Sequence, residues 1–172
     1  MTSRRRALVI GCNGEAMTLI RRSTVAVGLV FITAVIINFP WEVAQSGFFA
    51  SMGPTLAQGL WRCFQGSLGD GVMVVLLAVL VGAALGRTDG FLTPGKRGYF
   101  LMACFGAVIA IGVERIGLRE DRWSYRSTMP LIPILNVGLV PVLQMIVLPP
   151  LIYQFAGRLL PRTHRRGGSD ET

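Results

Sequence analysis

The sequence predicts an all-α integral membrane protein, a four-helix bundle with both termini on the cytoplasmic side (N-in/C-in). Of the 172 residues, 52% are hydrophobic and only 15% are charged, whereas soluble domains carry about a quarter of charged residues. A soluble domain of this length cannot bury so much apolar surface and keep a wettable exterior. Uncharged runs long enough to cross a bilayer also recur along the chain, with Lys and Arg at their edges.

Four uncharged runs define the expected spans, and the spans define the domain organisation. The runs cover residues 23–41, 71–86, 98–113 and 127–157, and a bilayer core needs about 20 apolar helical residues. We predict helices at approximately 24–42, 67–86, 98–117 and 131–156, within a transmembrane domain of residues 23–157. Residues 1–22 and 158–172 then form a basic cytoplasmic segment and a basic, polar cytoplasmic tail. No small-x-small cleavage site follows the first run, so it is expected to stay as an anchor, and Met17 is an alternative start.

The basic residues predict the orientation. Twelve Lys and Arg residues fall in the N-terminal segment, the connector between spans two and three, and the tail, against five on the other side. The positive-inside rule assigns the richer side to the cytoplasm. The expected location is the plasma (inner) membrane of a bacterium, with the lipid bilayer as partner.

The net charge of +8 does not indicate a nucleic-acid partner, because the basic residues flank apolar runs instead of forming one amphipathic face. The three cysteines are widely spaced and the single histidine lies in the tail. No metal site of thiolate or imidazole ligands is expected, and no cofactor motif is present.

Three carboxylates at the outer ends of the spans are the candidate catalytic residues: Glu42, Asp70 and Glu114. A four-helix bundle brings them to one membrane level. Without a histidine, they are suited to binding a hard cation, sharing a proton, or fixing a cationic or hydroxyl-bearing ligand.

Two of the carboxylates, Asp70 and Glu114, also have a structural interpretation. Ser67 and Asp70 match the S-x-x-D pattern that caps the first turn of a helix. Glu114 is expected to face the bundle, as a proton-transfer or ligand-binding group or in a structural ion pair with Arg115, Arg119 or Arg126. A snorkelling surface position is the third alternative for Glu114.

Five residues are candidate ligand-binding residues: Arg115, Trp123, Tyr125, Asn136 and Gln144. Trp123 and Tyr125 share one side of an extended segment, as interfacial anchors or as a lid on a pocket. Asn136 and Gln144 are expected on one side of the fourth helix, kinked by Pro141, where they bond a neighbouring helix or line a pocket below the carboxylates.

Four motifs carry a resemblance to known proteins: "WEVAQ", "GSLGD", "VERIGLREDRWSY" and "MPLIPILNVGLVPVLQ". Over about residues 38–152 the chain resembles a group of small bacterial four-span inner-membrane proteins to which no activity is assigned. It is more distantly similar to membrane carotenoid-modifying proteins, the lycopene-cyclase-like and carotenoid-hydratase groups. This second resemblance implies carboxylate acid catalysis on polyenes, although the Pro-x-Glu-Glu pair of the cyclases is absent here.

Three functions are therefore considered. The first is a multi-pass membrane protein whose outer-face pocket binds a small or lipidic ligand. The second is a membrane enzyme acting on a lipid or isoprenoid by general acid catalysis, and the third is a packing subunit of a larger complex. The GxxxG match at Gly82–Gly86 is also compatible with a homo-oligomer.

Overall fold

The computed structural model describes residues 2–50, 52–86 and 94–159, with side chains described from Arg21 onward except at position 22. Four long helices dominate this part of the chain: α1 (Thr2–Gln45), α2 (Leu56–Ala84), α3 (Gly95–Arg119) and α4 (Leu139–Leu159). The predicted all-α fold class is confirmed. The N-in/C-in orientation stays a prediction.

All four helices are long and apolar enough to cross a membrane. The shortest has 21 residues, which at 1.5 Å per residue gives about 30 Å, the thickness of the hydrocarbon core. Large apolar side chains such as Ile36, Phe100 and Val108 point outward and are more than half exposed. Such an exterior is compatible with contact to lipid.

Each helix packs against two neighbours, so that α1, α2, α3 and α4 follow one another around a closed ring. The fully buried centre of the bundle includes Val30, Leu77, Met102 and Ile152. Gly106 lets α3 approach α4 closely, because a Cβ at this position would overlap the backbone carbonyl of Met145.

Two connecting segments cover one end of the bundle, which we call the capped end. The first, after α1, starts with a 3-10 helix (Ser46–Phe48), and the second, after α3, contains the strands β1 (Leu131–Ile132) and β2 (Val137–Gly138). The segments pair with each other through a bridge between Phe49 and Tyr125. The Ala50 N–H donates to the Ser124 carbonyl at 2.9 Å, and the Arg126 N–H donates to the Phe48 carbonyl at 2.8 Å.

The predicted capping role of Ser67 and Asp70 is wrong, because α2 begins at Leu56 and both residues lie inside it. Thr55 is the actual N-cap, and its side chain accepts from the Gln58 N–H at 3.3 Å. The N–H groups near Ser67 are already bonded within the helix. The Ser67 hydroxyl instead donates to the Cys63 carbonyl one turn earlier, at 2.8 Å.

The expected position of Asn136 inside the fourth helix is also wrong. Asn136 lies in the turn between β1 and β2, with a positive φ of 52°, and its side chain is exposed. Because α4 begins at Leu139, Pro141 sits in the first turn, where a missing N–H breaks no helical bond and no kink is required. Asn136 therefore does not share a helix face with Gln144.

Candidate functional site

A cavity of about 770 Å³ opens at the capped end, and all four helices contribute to it. Its apolar walls include Phe49, Met52, Met73, Val113 and Met145. The polar lining residues include three carboxylates and two amides, namely Glu42, Gln45, Asp70, Glu114 and Gln144. Arg62, Arg122 and Trp123 also line the cavity.

Gln144 is the centre of a buried network that joins three helices. Its Nε2 donates to Asp70 Oδ2 at 2.7 Å, to Asn38 Oδ1 at 2.9 Å and to Glu42 Oε1 at 3.1 Å. An amide nitrogen has two hydrogens, so one of them is shared between two acceptors. Only 2% of the Gln144 surface is exposed. We call these residues and Gln45 the amide–carboxyl cluster: Asn38, Glu42, Gln45, Asp70 and Gln144.

Hydrogen bonding fixes the direction of every amide in the cluster. Asn38 Nδ2 donates to the Ala34 carbonyl at 2.9 Å, and this oxygen can only accept. The Asn38 Oδ1 must therefore accept from Gln144 Nε2. Gln144 Oε1 is then the acceptor for Gln45 Nε2, at 2.9 Å.

This chain of amides leaves one acceptor unused. Gln45 Nε2 donates to Gln144 and also to Glu42 Oε1, at 2.7 Å. Gln45 Oε1 is buried and has no hydrogen-bond partner among the described residues. Gln45 is only 4% exposed and lines the cavity, but the unpaired oxygen itself has almost no accessible surface.

Glu42 and Asp70 approach each other from α1 and α2. Their carboxyl groups lie within hydrogen-bonding reach. Gly66, one turn before Asp70, makes the room, because a Cβ built there would lie 2.9 Å from Glu42 Oε2. Asp70 is buried and Glu42 is half-buried. Two carboxyl groups this close disfavour two full negative charges, so the arrangement is suited to sharing one proton.

Glu114 has a different environment on the far side of the cavity. It is 6% exposed, and its Oε2 accepts from Trp123 Nε1 at 3.3 Å and from the Tyr125 hydroxyl. The Tyr125 hydroxyl in turn accepts from the Gly138 N–H at 2.9 Å. The Trp123 ring lies against Gly117, where any Cβ would overlap it.

Tyr125 is held as a proton donor towards Glu114. Burial, reinforced by the hydrogen bond to the Glu114 carboxylate, raises the pKa of Tyr125 above its ordinary value. The phenol therefore keeps its proton at neutral pH. The phenol and the Trp123 indole thus both donate to the same oxygen of Glu114.

The expected arginine partner of Glu114 is not found among the described hydrogen bonds and ion pairs. Arg115 is exposed and does not line the cavity. The ion pair seen in this part of the structure joins Arg122 and Glu120 at 4.0 Å, on the surface. Two neutral donors, the Trp123 indole and the Tyr125 phenol, bond to Glu114 in place of the expected guanidinium.

Most of the remaining sequence-predicted residues come together. Glu42, Asp70, Glu114, Trp123 and Gln144 line the same cavity. Tyr125 does not line the cavity itself but donates to Glu114, which does. Arg115 and Asn136 do not line the cavity. Among the described residues, no group of three or more His, Cys, Asp or Glu side chains is placed to hold a metal ion.

Asn38 and Gln45 were not among the predicted site residues. Their spacing with Glu42, at positions 38, 42 and 45, places three polar side chains on one face of an apolar helix. That periodicity was the available signal for the α1 side of the cluster. Comparison of the chain with known protein families, curated proteins and solved structures gave no match.

Proposed function

We propose that the chain is a multi-pass protein of a bacterial inner membrane that binds a small or lipidic ligand in the cavity at the capped end. The excess of Lys and Arg in the predicted cytoplasmic segments supports an orientation in which this end faces outward. The ligand enters between apolar walls and meets the amide–carboxyl cluster with its polar group.

One observation carries this proposal: a cavity of about 770 Å³, lined by apolar and polar side chains, contains a buried, hydrogen-bonded polar cluster. Binding sites for small molecules are typically of this size, mostly apolar, with a few convergent polar groups. Burying so many polar side chains in a membrane bundle is costly, and intramembrane acids are usually functional. Bundle packing alone does not need an open cavity at this point.

Filling the cavity is the direct test. Gly69 lines it, and a Cβ built there meets nothing within 4 Å. We expect Gly69→Leu to lower the amount of bound organic molecule at least tenfold, because the leucine occupies the space of the ligand. The stability should be kept or rise by about 0.5–1 kcal/mol, since glycine weakens a helix interior. Mass spectrometry of solvent extracts of the purified protein measures the bound molecule.

Gly112→Leu is the matched control. Gly112 lies on α3, has equally open space around its Cβ position and does not line the cavity. The control should retain the molecule at the wild-type ratio. If the extracts of all three proteins are the same, the cavity is not a binding site and a packing subunit becomes the better interpretation.

A second candidate function, general acid catalysis on an isoprenoid, is favoured by the Glu42–Asp70 contact beside apolar walls. The shared proton adds to one carbon of a double bond, whose electron pair forms the new C–H bond and leaves a cation on the other carbon. Glu114 is placed to accept a proton from a neighbouring carbon, which restores a double bond, and water returns that proton to the pair. The Trp123 ring stabilises such a cation through its π face. The resemblance to carotenoid-modifying proteins supports this chemistry.

Deuterium exchange tests the second candidate. Lycopene incubated with the protein in D₂O should gain deuterium at carbon, and Asp70→Asn should reduce the rate at least a hundredfold because the carboxyl pair no longer holds a transferable proton. Mass spectrometry of recovered lycopene measures the gain. Asp121→Asn, on the exposed surface outside the cavity, is the control. Equal rates with and without protein would exclude acid catalysis on this polyene.

A further inference from the structure

A second cavity, of about 400 Å³, lies at the end of the bundle opposite the capped end, where α3 begins. One wall is Leu85, the residue directly after α2, and the rest of the lining comes from the first two turns of α3: Lys96, Arg97, Phe100 and Leu101. We call this cavity the basic groove. Its lining therefore combines two cationic side chains with an apolar wall.

The cationic and apolar residues of the groove are ordered along α3. Lys96 and Phe100 are four residues apart, as are Arg97 and Leu101, so each cation lies one turn before an apolar residue on the same face. The uncharged run of residues 98–113 starts directly after Arg97, where the predicted span enters the hydrocarbon. Phe100 is 69% exposed. The groove thus offers positive charge at the level of lipid head groups and an apolar wall at the level of the acyl chains.

The positive charge of this end has no acidic partner among the described side chains. The described acids all belong to the capped end, namely Glu42, Asp70, Glu114, Glu120 and Asp121. The first turn of α3 contains no acidic residue. Arg158, in the last turn of α4, lies within electrostatic reach of Tyr99 and adds a third positive charge near the start of α3. A bound anion would balance the charge that this part of the structure leaves uncompensated.

We propose that the basic groove binds an anionic phospholipid of the surrounding bilayer, with the phosphate held by the Lys96 and Arg97 side chains. A guanidinium group pairs with phosphate oxygens through two hydrogen bonds, and an ammonium group adds a point charge. The first part of an acyl chain lies along Phe100 and Leu101. A soluble anion would meet the cations alone, whereas a lipid also covers the apolar wall. Basic pockets between membrane helices are typical sites for such head groups. The groove is separate from the cavity at the capped end, so it does not depend on the proposed function.

Native mass spectrometry of the full-length protein tests the lipid assignment. Phosphatidylglycerol or phosphatidylcholine with the same acyl chains is added in mild detergent, and the bound lipids are counted. The anionic lipid should bind about fivefold more tightly or better, because the choline ammonium is repelled by the cations of the groove. Lys96→Gln combined with Arg97→Gln should abolish this preference.

Arg119→Gln combined with Arg126→Gln is the matched control for charge. It removes two exposed cations from the capped end that line neither cavity, so it should bind phosphatidylglycerol like the wild type. Equal binding of the two lipids by the wild type, or an equal loss in the two double variants, would overturn the site and leave only a diffuse attraction to anionic lipid. The comparison of lipids uses the wild-type protein, so it does not depend on the folding of any variant.

The apolar part of the groove is tested separately. Phe100→Ala should weaken phosphatidylglycerol binding about threefold or more, because it removes apolar surface from the acyl chain. Phe155→Ala, at an exposed position of α4 outside the groove, should not. Glycerophosphoglycerol, the same head group without acyl chains, should fail to displace the bound lipid. Displacement by this soluble phosphodiester, or equal binding by the two alanine variants, would overturn the assignment to a lipid.

Discussion

Replacing Gln144 with leucine should lower the free energy of unfolding by about 2–4 kcal/mol. Gln144 Nε2 donates to Asn38, Glu42 and Asp70, and its Oε1 accepts from Gln45. Interhelical hydrogen bonds in membranes contribute about 0.6 kcal/mol on average and up to about 1.7 each. The larger part of the loss comes from the buried groups that leucine leaves without partners, above all Asp70. Equilibrium unfolding of the purified protein in mixed micelles with increasing SDS measures the change.

Gln154→Leu, on the exposed side of the same helix, is the control and should change stability by no more than about 0.5 kcal/mol. Adding Asp70→Leu to Gln144→Leu should recover part of the loss, because removing both partners leaves fewer buried polar atoms unpaired. A loss below about 1 kcal/mol for Gln144→Leu alone would mean that the cluster does not hold α1, α2 and α4 together.

The four spans were predictable because bilayer thickness sets a length requirement that uncharged runs either meet or fail. The start of α2 was harder to predict from the sequence. The uncharged run begins only after Asp70, and Ser67 with Asp70 matched a cap, so the helix was expected to begin at residue 67. A capping pattern is local, and it does not show whether the N–H groups around it are already bonded in a continuous helix.

The start of the fourth helix was missed for a related reason. Residues 131–138 are mostly apolar, so they extend the uncharged run, although Pro133 and the Asn136–Gly138 segment are turn signals. The turn uses positive φ at Ile134 and Asn136, and tertiary contacts hold it: the Tyr125 hydroxyl accepts from the Gly138 N–H. Hydropathy alone cannot separate an apolar hairpin from a helix.

The acidic residues of the site could be predicted from the sequence, but their hydrogen-bond partners could not. Topology placed Glu42, Asp70 and Glu114 near one end of the bundle, and they do line one cavity. Which partner each acid takes depends on side-chain geometry across helices, which sequence spacing does not contain. Glu114 takes an indole and a phenol from its own connector, and Asp70 takes an amide from α4.

Replacing Gly106 with leucine should destabilise the bundle by about 3 kcal/mol or more and change the cavity. A Cβ at Gly106 would overlap the backbone carbonyl of Met145, and a backbone atom cannot move aside as a flexible side chain can. The two helices α3 and α4 must therefore separate, and overpacking of this kind usually costs about 1–3 kcal/mol and sometimes more. Because Gln144 and Met145 both line the cavity, the displacement of α4 also moves the centre of the amide–carboxyl cluster.

The Gly106→Leu result is measured by the same SDS titration, together with the amount of bound organic molecule found by mass spectrometry of solvent extracts. Gly112→Leu introduces the same side chain into the same helix, where a Cβ meets nothing within 4 Å, and should leave both readouts near the wild-type values. Unfolding of Gly106→Leu at the same SDS fraction as Gly112→Leu would show that α3 and α4 are not in close contact at Gly106. Normal stability with lost binding would instead show that the bundle tolerates the separation and that the cavity depends on the position of α4.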